Sequence, residues 1–160
     1  MIRAYVALGA NLGEPRRTVA AALTALDDIA TTSVVGSSSL YQTAPVGLRR
    51  QPDFINAVAA LDTELDPVQL LEQLFVLEAR FGRSRSVPNA PRTLDLDLLL
   101  HGDARSSNPE LTLPHPRMHE RAFVLAPLAE IAPGCRIPGH GTVRDLLAAC
   151  ADQRITRLTP

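Results

Sequence analysis

The sequence predicts an α+β fold in which helices pack on a largely antiparallel sheet. Apolar and polar residues alternate over residues 2–8 and 93–100, a pattern typical of half-buried strands. Other segments repeat apolar residues at the three- and four-residue spacing of amphipathic helices. The 160 residues are 46% hydrophobic and 21% charged, so we expect one domain over residues 1–160.

The first half of the chain begins with a strand over residues 2–8, which ends in a turn at residues 9–13. Pro15 suits the first position of a helix. The apolar stripe of that helix comprises Val19, Ala22, Leu23, Leu26 and Ile29. A second strand is expected over residues 33–41, and a long loop follows over residues 43–52.

A third strand is expected over residues 54–63, and Asp66 caps a second helix that ends at Phe81. A polar loop over residues 83–91 then leads into the strand with the sequence Asp-Leu-Asp. The order βαββαβ is the ferredoxin-like arrangement.

Beyond Gly102 we expect a short strand near residues 111–113, a helix over about residues 123–131 and a last helix after Thr142. The two predicted loops of about ten residues exceed the usual four to six. Both flank strands with candidate site residues, so we interpret them as binding segments.

Composition excludes several kinds of chemistry. All 16 cationic residues are Arg, which rules out a P-loop lysine and a lysine nucleophile. The net charge of −1 indicates no general attraction to nucleic acid or to an anionic membrane. No signal peptide or membrane span is visible, and Cys135 and Cys150 have no metal-type spacing, so a cytoplasmic protein is expected.

The strand over residues 93–100 carries the strongest functional signal. Its alternation directs Leu94, Leu96, Leu98 and Leu100 to one face. Asp95 and Asp97 then share the other face, roughly 7 Å apart. Paired carboxylates repel each other, and a hard divalent cation such as Mg²⁺ neutralises both. The alternative is an exposed strand face with two solvated acids.

A basic loop precedes this strand and suggests an anion site beside the cation site. Arg83, Arg85 and Arg92 supply guanidinium groups, which together with metal ions stabilise a transferred phosphate. The alternative is a solvated basic loop. Glu78 falls within the predicted helix stripe of Leu71, Leu74, Phe75 and Phe81, so it is either paired, liganded or at the stripe edge with its head in water.

Residues 113–121 place His115, His119, Arg117 and Arg121 in a turn bounded by prolines. His115 and His119 have the helical spacing of metal ligands, but Pro114 and Pro116 disfavour a regular helix under His115. We therefore interpret these side chains as groups that reach phosphate oxygens, and the alternative is an exposed helix start. Aromatic residues are scarce, and two Phe plus one amide can sandwich and identify a flat heterocycle. The candidates for such a pocket are Phe54, Phe123 and Asn56.

Over nearly its whole length the chain resembles the 6-hydroxymethyl-7,8-dihydropterin pyrophosphokinases of the folate pathway. The resemblance lies in residues 7–13, 41–45, 51–57, Glu78, residues 82–85, 91–97 and 113–118, Arg121 and Phe123. It implies the same βαββαβ core in α/β/α layers. It also implies that pyrophosphate passes from ATP to the hydroxymethyl group of the dihydropterin, with release of AMP.

The resemblance implies roles for individual residues. Asp95 and Asp97 would bind two Mg²⁺ ions, with Arg83 and Arg92 as catalytic phosphate clamps. The residues expected on ATP are Glu78, Arg83, Arg85, Arg92, Leu98, Thr112, His115 and Arg121. Those expected around the pterin are Thr43, Pro45, Val46, Phe54, Asn56 and Phe123. A monomer is expected, with ATP and the dihydropterin as its ligands.

The chain departs from the family pattern at the adenosine side. Phe75 stands where Gln is frequent, Asn89 lies near the position of a missing Trp, and Glu110 stands where an Arg can bind ATP.

Two other functions are weighed: another Mg²⁺-dependent nucleotidyl or phosphoryl transferase, and a ferredoxin-like module that binds RNA or a small ligand. Asp95 and Asp97 argue against RNA, because they repel phosphate unless a metal is present.

Overall fold

The computed structural model describes residues 1–45, 51–82 and 93–159. The elements of the first part are β1 (Ile2–Ala10), α1 (Pro15–Leu26), β2 (Thr32–Ser37), β3 (Tyr41–Thr43), β4 (Phe54–Thr63) and α2 (Pro67–Arg80). After residue 92 the elements are β5 (Asp95–His101), β6 (Ser106–Asn108), β7 (Leu111–Leu113), a 3₁₀ helix (Met118–Glu120), α3 (Ala122–Ile131), β8 (Arg136–Ile137), β9 (Gly141–Thr142), α4 (Val143–Ala148) and β10 (Thr156–Arg157).

The main sheet has the strand order β10-β3-β4-β1-β5, and β2 also pairs with β4. Every strand pairing described is antiparallel. The predicted α+β class and the ferredoxin-like order of elements are confirmed. The helix α2 begins as expected, because Asp66 and Gln69 form a reciprocal capping box.

Two apolar cores cover the two faces of the sheet, which confirms the α/β/α layers. One core joins α1 and α2 to β1, β4 and β5. The other core joins α3 and α4 to the opposite face of the sheet. In the described part of the chain, no helix has the length and apolar character needed to cross a membrane.

The single strand predicted over residues 33–41 is divided into β2 and β3. The Ser38 hydroxyl accepts a hydrogen bond from the backbone N–H of Val58 at 2.9 Å, and the N–H of Ser38 donates to the Val58 carbonyl at 2.9 Å. A side chain therefore replaces one backbone group of the ladder, and the regular pairing stops there.

The predicted alternation along β5 is wrong at Leu100. The β1–β5 register passes from Val6 opposite Leu98 to Tyr5 opposite Leu100, so Leu99 is an extra residue. This bulge turns Leu100 to the α3 side, where it packs with Leu99. The upstream part of the strand keeps its alternation, and the positions of Asp95 and Asp97 are unaffected.

The predicted apolar stripe of α2 is also partly wrong. The buried residues are Leu70, Leu74, Leu77 and Glu78, whereas Phe75 is 41% exposed. The buried set follows the i, i+4, i+7, i+8 spacing of one helix face. Glu78 belongs to that face and is only 2% exposed, so its carboxylate does not extend into water.

Candidate active site

The floor of the candidate site is a part of the sheet with very small side chains. Gly9 on β1 lies between Asn56 on β4 and Asp95 on β5, and Ala7 lies opposite Asp97. A Cβ on Gly9 would lie 3.2 Å from Oδ1 of Asn56, so a larger residue would crowd the amide. Small residues in the centre therefore leave space between the flanking polar side chains.

A cavity of about 150 Å³ opens above this floor. It is lined by Ala7, Leu8, Gly9, Thr43, Ala44, Phe54, Asn56, Asp95, Asp97, Arg117, Arg121, Phe123 and Val124. Asp95 and Asp97 are half-buried and lie on one wall of the cavity. Their predicted common face is confirmed.

One end of the cavity is aromatic and has a fixed amide. Phe54 and Asn56 extend from β4, Thr43 extends from the paired strand β3, and Phe123 extends from α3. The Nδ2 of Asn56 donates to Oγ1 of Thr43 at 2.8 Å, and both side chains are buried. This hydrogen bond sets the amide orientation, so Asn56 presents a fixed polar edge in the cavity that the two rings also line.

The cavity also has a cationic end, formed by Arg117 and Arg121, that adjoins Phe123. The guanidinium carbon of Arg121 lies 5.4 Å from the ring centre of Phe123, within the range of a cation–π contact. Burial lowers the pKa of Arg121, and the charge of Arg117 lowers it further, whereas Asp97 and Asp95 act in the opposite direction. These four charged side chains therefore influence each other across one space.

His115 lies beside this cationic end without being among the cavity-lining residues. Its backbone N–H donates to the Leu99 carbonyl at 2.9 Å, and its Nδ1 accepts from the N–H of Arg117 at 3.3 Å. Burial, followed by the charge of Arg121, lowers the pKa of His115 to about 4, although Asp95 opposes the shift. The imidazole is therefore neutral at pH 7, with Nε2 as its N–H donor.

Glu78 contacts the aspartate strand from the opposite face of the sheet. Its Oε2 accepts a hydrogen bond from the backbone N–H of Leu96 at 2.8 Å. Leu96 lies between Asp95 and Asp97, so this contact ties α2 to the segment of β5 that carries both acids.

The structure brings most of the predicted pterin-side and metal-binding residues into one cavity. Those that line it are Thr43, Phe54, Asn56, Asp95, Asp97, Arg121 and Phe123. Those that do not line it are Pro45, Glu78, Leu98, Thr112 and His115. Val46, Arg83, Arg85, Arg92 and Asn89 lie outside the described residues.

Two of the predicted nucleotide-side residues have other surroundings. Leu98 is buried in the core on the α2 side, and Thr112 donates to the Asn108 carbonyl at 3.1 Å. Glu110 is exposed in the β6–β7 turn. His119 stacks on His140 with ring centres 3.7 Å apart.

The sequence groups Arg117 with the side chains that reach phosphate oxygens, but no spacing rule predicts that it lines the same cavity as Phe54 and Phe123. The backbone turn at residues 116–117 decides where its side chain points. Among the residues that the structure describes, no group of three or more His, Cys, Asp or Glu side chains could hold a metal ion. Asp95 and Asp97 fit Mg²⁺ because this ion needs only one or two carboxylates when phosphate oxygens and water complete its coordination.

Comparison with known proteins agrees with these features. The family model described as 7,8-dihydro-6-hydroxymethylpterin-pyrophosphokinase (HPPK) matches residues 5–133. A 2-amino-4-hydroxy-6-hydroxymethyldihydropteridine pyrophosphokinase of Pseudomonas aeruginosa is 49% identical over 156 residues, 98% of this chain and 96% of the relative. The protein of the same name from Haemophilus influenzae is 43% identical over 160 residues, all of both chains.

Solved structures support the fold. An HPPK-DHPS in complex with substrates has a TM-score of 0.72 at 13% identity, over 94% of this chain. A triple-mutant HPPK-DHPS of Plasmodium falciparum has a TM-score of 0.75 at 14% identity, also over 94% of this chain. The chain spans 44% and 42% of the length of these two solved chains.

Proposed function

The chain belongs to the 7,8-dihydro-6-hydroxymethylpterin-pyrophosphokinase family, and we propose that it transfers pyrophosphate from ATP to 6-hydroxymethyl-7,8-dihydropterin. AMP is the second product. The observation that carries this proposal is that paired carboxylates and guanidiniums line the same cavity as two aromatic rings and a fixed amide.

The aromatic end of the cavity binds the pterin. Phe54 and Phe123 stack on the flat ring, and Asn56, held by Thr43, hydrogen-bonds to its polar edge. We also assign Pro45 and Val46, which follow β3 in the sequence, to pterin binding. The ring is thereby oriented with its hydroxymethyl group towards Asp95 and Asp97.

The acidic and cationic walls bind the phosphates. Asp95 and Asp97 would hold two Mg²⁺ ions, which neutralise charge on the phosphate oxygens. Arg121 and the neutral His115 donate hydrogen bonds to ATP, and Arg83, Arg85 and Arg92 supply further guanidiniums. We also assign Glu78, Leu98 and Thr112 to the nucleotide side, with Glu78 supporting β5 through Leu96.

The reaction is an in-line displacement at the β-phosphorus of ATP. A bond forms from the pterin hydroxyl oxygen to the β-phosphorus, and the bond from that phosphorus to the α,β-bridging oxygen breaks. AMP leaves with the bonding electrons, while the hydroxyl proton passes to water or to a carboxylate oxygen of Asp97. Positioning and charge neutralisation supply most of the rate.

Strands β1, β3, β4 and β5 and helix α3 of a single chain all contribute residues to the cavity. We therefore propose a single-domain monomer over residues 1–160. A monomeric mass for the active protein in sedimentation analysis is the expected result.

The deciding experiment is AMP release from ATP, measured with and without dihydropterin and with and without Mg²⁺. Release that needs both the pterin and the metal supports the proposal. Release without pterin indicates a different nucleotidyl or phosphoryl transferase. No release under any condition contradicts an enzymatic role for the cavity.

A further inference from the structure

Arg117 is a charged residue of the cavity that the sequence groups with other phosphate-reaching side chains of residues 113–121, but to which the family resemblance assigns no role of its own. It is exposed, and its side chain lines the same cavity as Asp95, Asp97 and Arg121. Across the described ranges, which omit residues 46–50 and 83–92, its guanidinium has no hydrogen-bond or ion-pair partner. An Arg at a cavity mouth without a protein acceptor is available to an incoming anion.

The backbone that carries Arg117 is held firmly in place. Met118, the next residue, is fully buried. The N–H of Arg117 donates to Nδ1 of His115, and the carbonyl of Arg117 accepts from the N–H of Glu120 at 3.1 Å. Gln153 also accepts from the N–H of Ala122 and donates to the carbonyl of Glu120. The Arg117 side chain therefore starts from a preorganised backbone.

The charges that line the cavity indicate what Arg117 binds. The lining residues include two carboxylates, Asp95 and Asp97, and two guanidiniums, Arg117 and Arg121. Once the carboxylates are engaged by a divalent cation, they no longer neutralise the guanidiniums. Arg117 and Arg121 line the same cavity, and after burial the charge of Arg117 contributes to the lowered pKa of Arg121, so an anion between the two would relieve their repulsion.

We propose that Arg117 is a substrate-binding residue that holds the two phosphates transferred in the reaction. The inference rests on the proposed function, because it needs an anion that enters this cavity. Arg117 shares the cavity with Phe54 and Phe123, the two rings assigned to the pterin. The anionic group that adjoins the pterin hydroxymethyl is the β,γ-pyrophosphate of ATP, whereas the α-phosphate leaves with AMP.

The test compares Arg117→Ala with Arg144→Ala, a matched change of an exposed Arg on α4 that does not line the cavity. Affinities for ATP, AMP and the dihydropterin are measured with Mg²⁺ at low and at high salt. Arg117→Ala should weaken ATP binding roughly fivefold at low salt and less at high salt. AMP and pterin affinities should stay unchanged, and Arg144→Ala should alter none of the three.

Arg117→Lys separates the two contributions of Arg117, because it keeps the charge but loses the bidentate hydrogen bonding. Its ATP affinity should lie between those of the wild type and Arg117→Ala. Equal ATP affinities for Arg117→Ala and Arg144→Ala would overturn the proposal. So would equal losses for ATP and AMP, or a loss for pterin as large as for ATP. Thermal unfolding of each variant verifies that the fold is intact.

Failure of the proposed function gives a different pattern. Wild-type protein that releases no AMP contradicts the pyrophosphokinase reaction, whatever Arg117 does. The ATP and AMP titrations need no pterin and no turnover, so they still decide whether Arg117 binds the β,γ-phosphates.

Discussion

Glu78 and the Asp95–Asp97 pair are carboxylates on opposite sides of the sheet at β5. Asp95 and Asp97 extend from β5 itself, whereas Glu78 contacts β5 from helix α2. Glu78 lies in an apolar core, is 2% exposed and accepts the N–H of Leu96. Asp95 and Asp97 are half-buried on the wall of an open cavity. The buried carboxylate of Glu78 therefore supports the strand through a hydrogen bond, whereas the half-buried carboxylates of Asp95 and Asp97 are accessible to cations. The difference in burial decides which of these roles a carboxylate has.

Neutralising an acid on the open face should have the largest effect. We expect Asp95→Asn or Asp97→Asn to lower turnover by roughly a hundredfold or more, because charge stabilisation at the phosphates is lost. Stability without Mg²⁺ should change by less than about 1 kcal/mol, since these side chains are partly solvated. Turnover and urea unfolding measured together test both expectations, and near-normal turnover would contradict the metal-ligand role.

Removing the acid on the buried face should mainly affect stability. Glu78→Ala leaves the N–H of Leu96 buried without this acceptor, which should cost about 1–3 kcal/mol of unfolding free energy. Glu78→Gln should cost less, because its amide oxygen can still accept. Urea unfolding measures both variants. A Glu78→Ala protein with wild-type stability but weaker ATP binding would instead place Glu78 only at the nucleotide.

The pH dependence of stability tests whether His115 stays neutral in the folded protein beside Arg121 and Asp95. The pKa of His115 is about 4 in the folded protein and about 6.5 in an unfolded chain. Between these values the unfolded chain binds the extra proton, so stability is full above pH 6.5 and falls as the pH drops towards 4.

Because His115 is half-buried, we expect the free energy of unfolding of the wild type to fall by about 1 kcal/mol more than that of His115→Asn between pH 7 and pH 5. Urea unfolding at the two pH values gives the difference. Asp95→Asn should extend the loss further below pH 5, because the Asp95 charge opposes the shift. Identical pH profiles for wild type and His115→Asn would show that His115 is protonated as readily when folded as when unfolded.

A change at the aromatic end of the cavity should affect the binding of only one of the two ligands. Phe54→Ala should weaken pterin binding by about 1 kcal/mol beyond the loss of buried area, because the stacking partner is removed. ATP affinity should remain close to that of wild type. Separate titrations with the two ligands check this, and equal losses would mean that Phe54 supports the fold and not the pterin.

Local patterns were sufficient for much of the fold and part of the site. Alternation with period two places Asp95 and Asp97 on one face from the sequence alone, because neighbouring side chains of a regular strand point to opposite sides. The capping box at Asp66 and Gln69 likewise depends on residues three apart. The βαββαβ order follows from such local signals.

Tertiary structure decided the rest, because the relevant contacts join distant parts of the chain. The bulge at Leu99 and the break at Ser38 depend on pairing with β1 and β4. Phe54 and Phe123 line the same cavity because α3 packs on the face of the sheet that carries Gly9. Arg117 enters the same cavity through a turn whose direction depends on Met118 burial and on Gln153. Sequence periodicity determines which face a residue occupies within its own element, whereas packing between elements determines which faces meet.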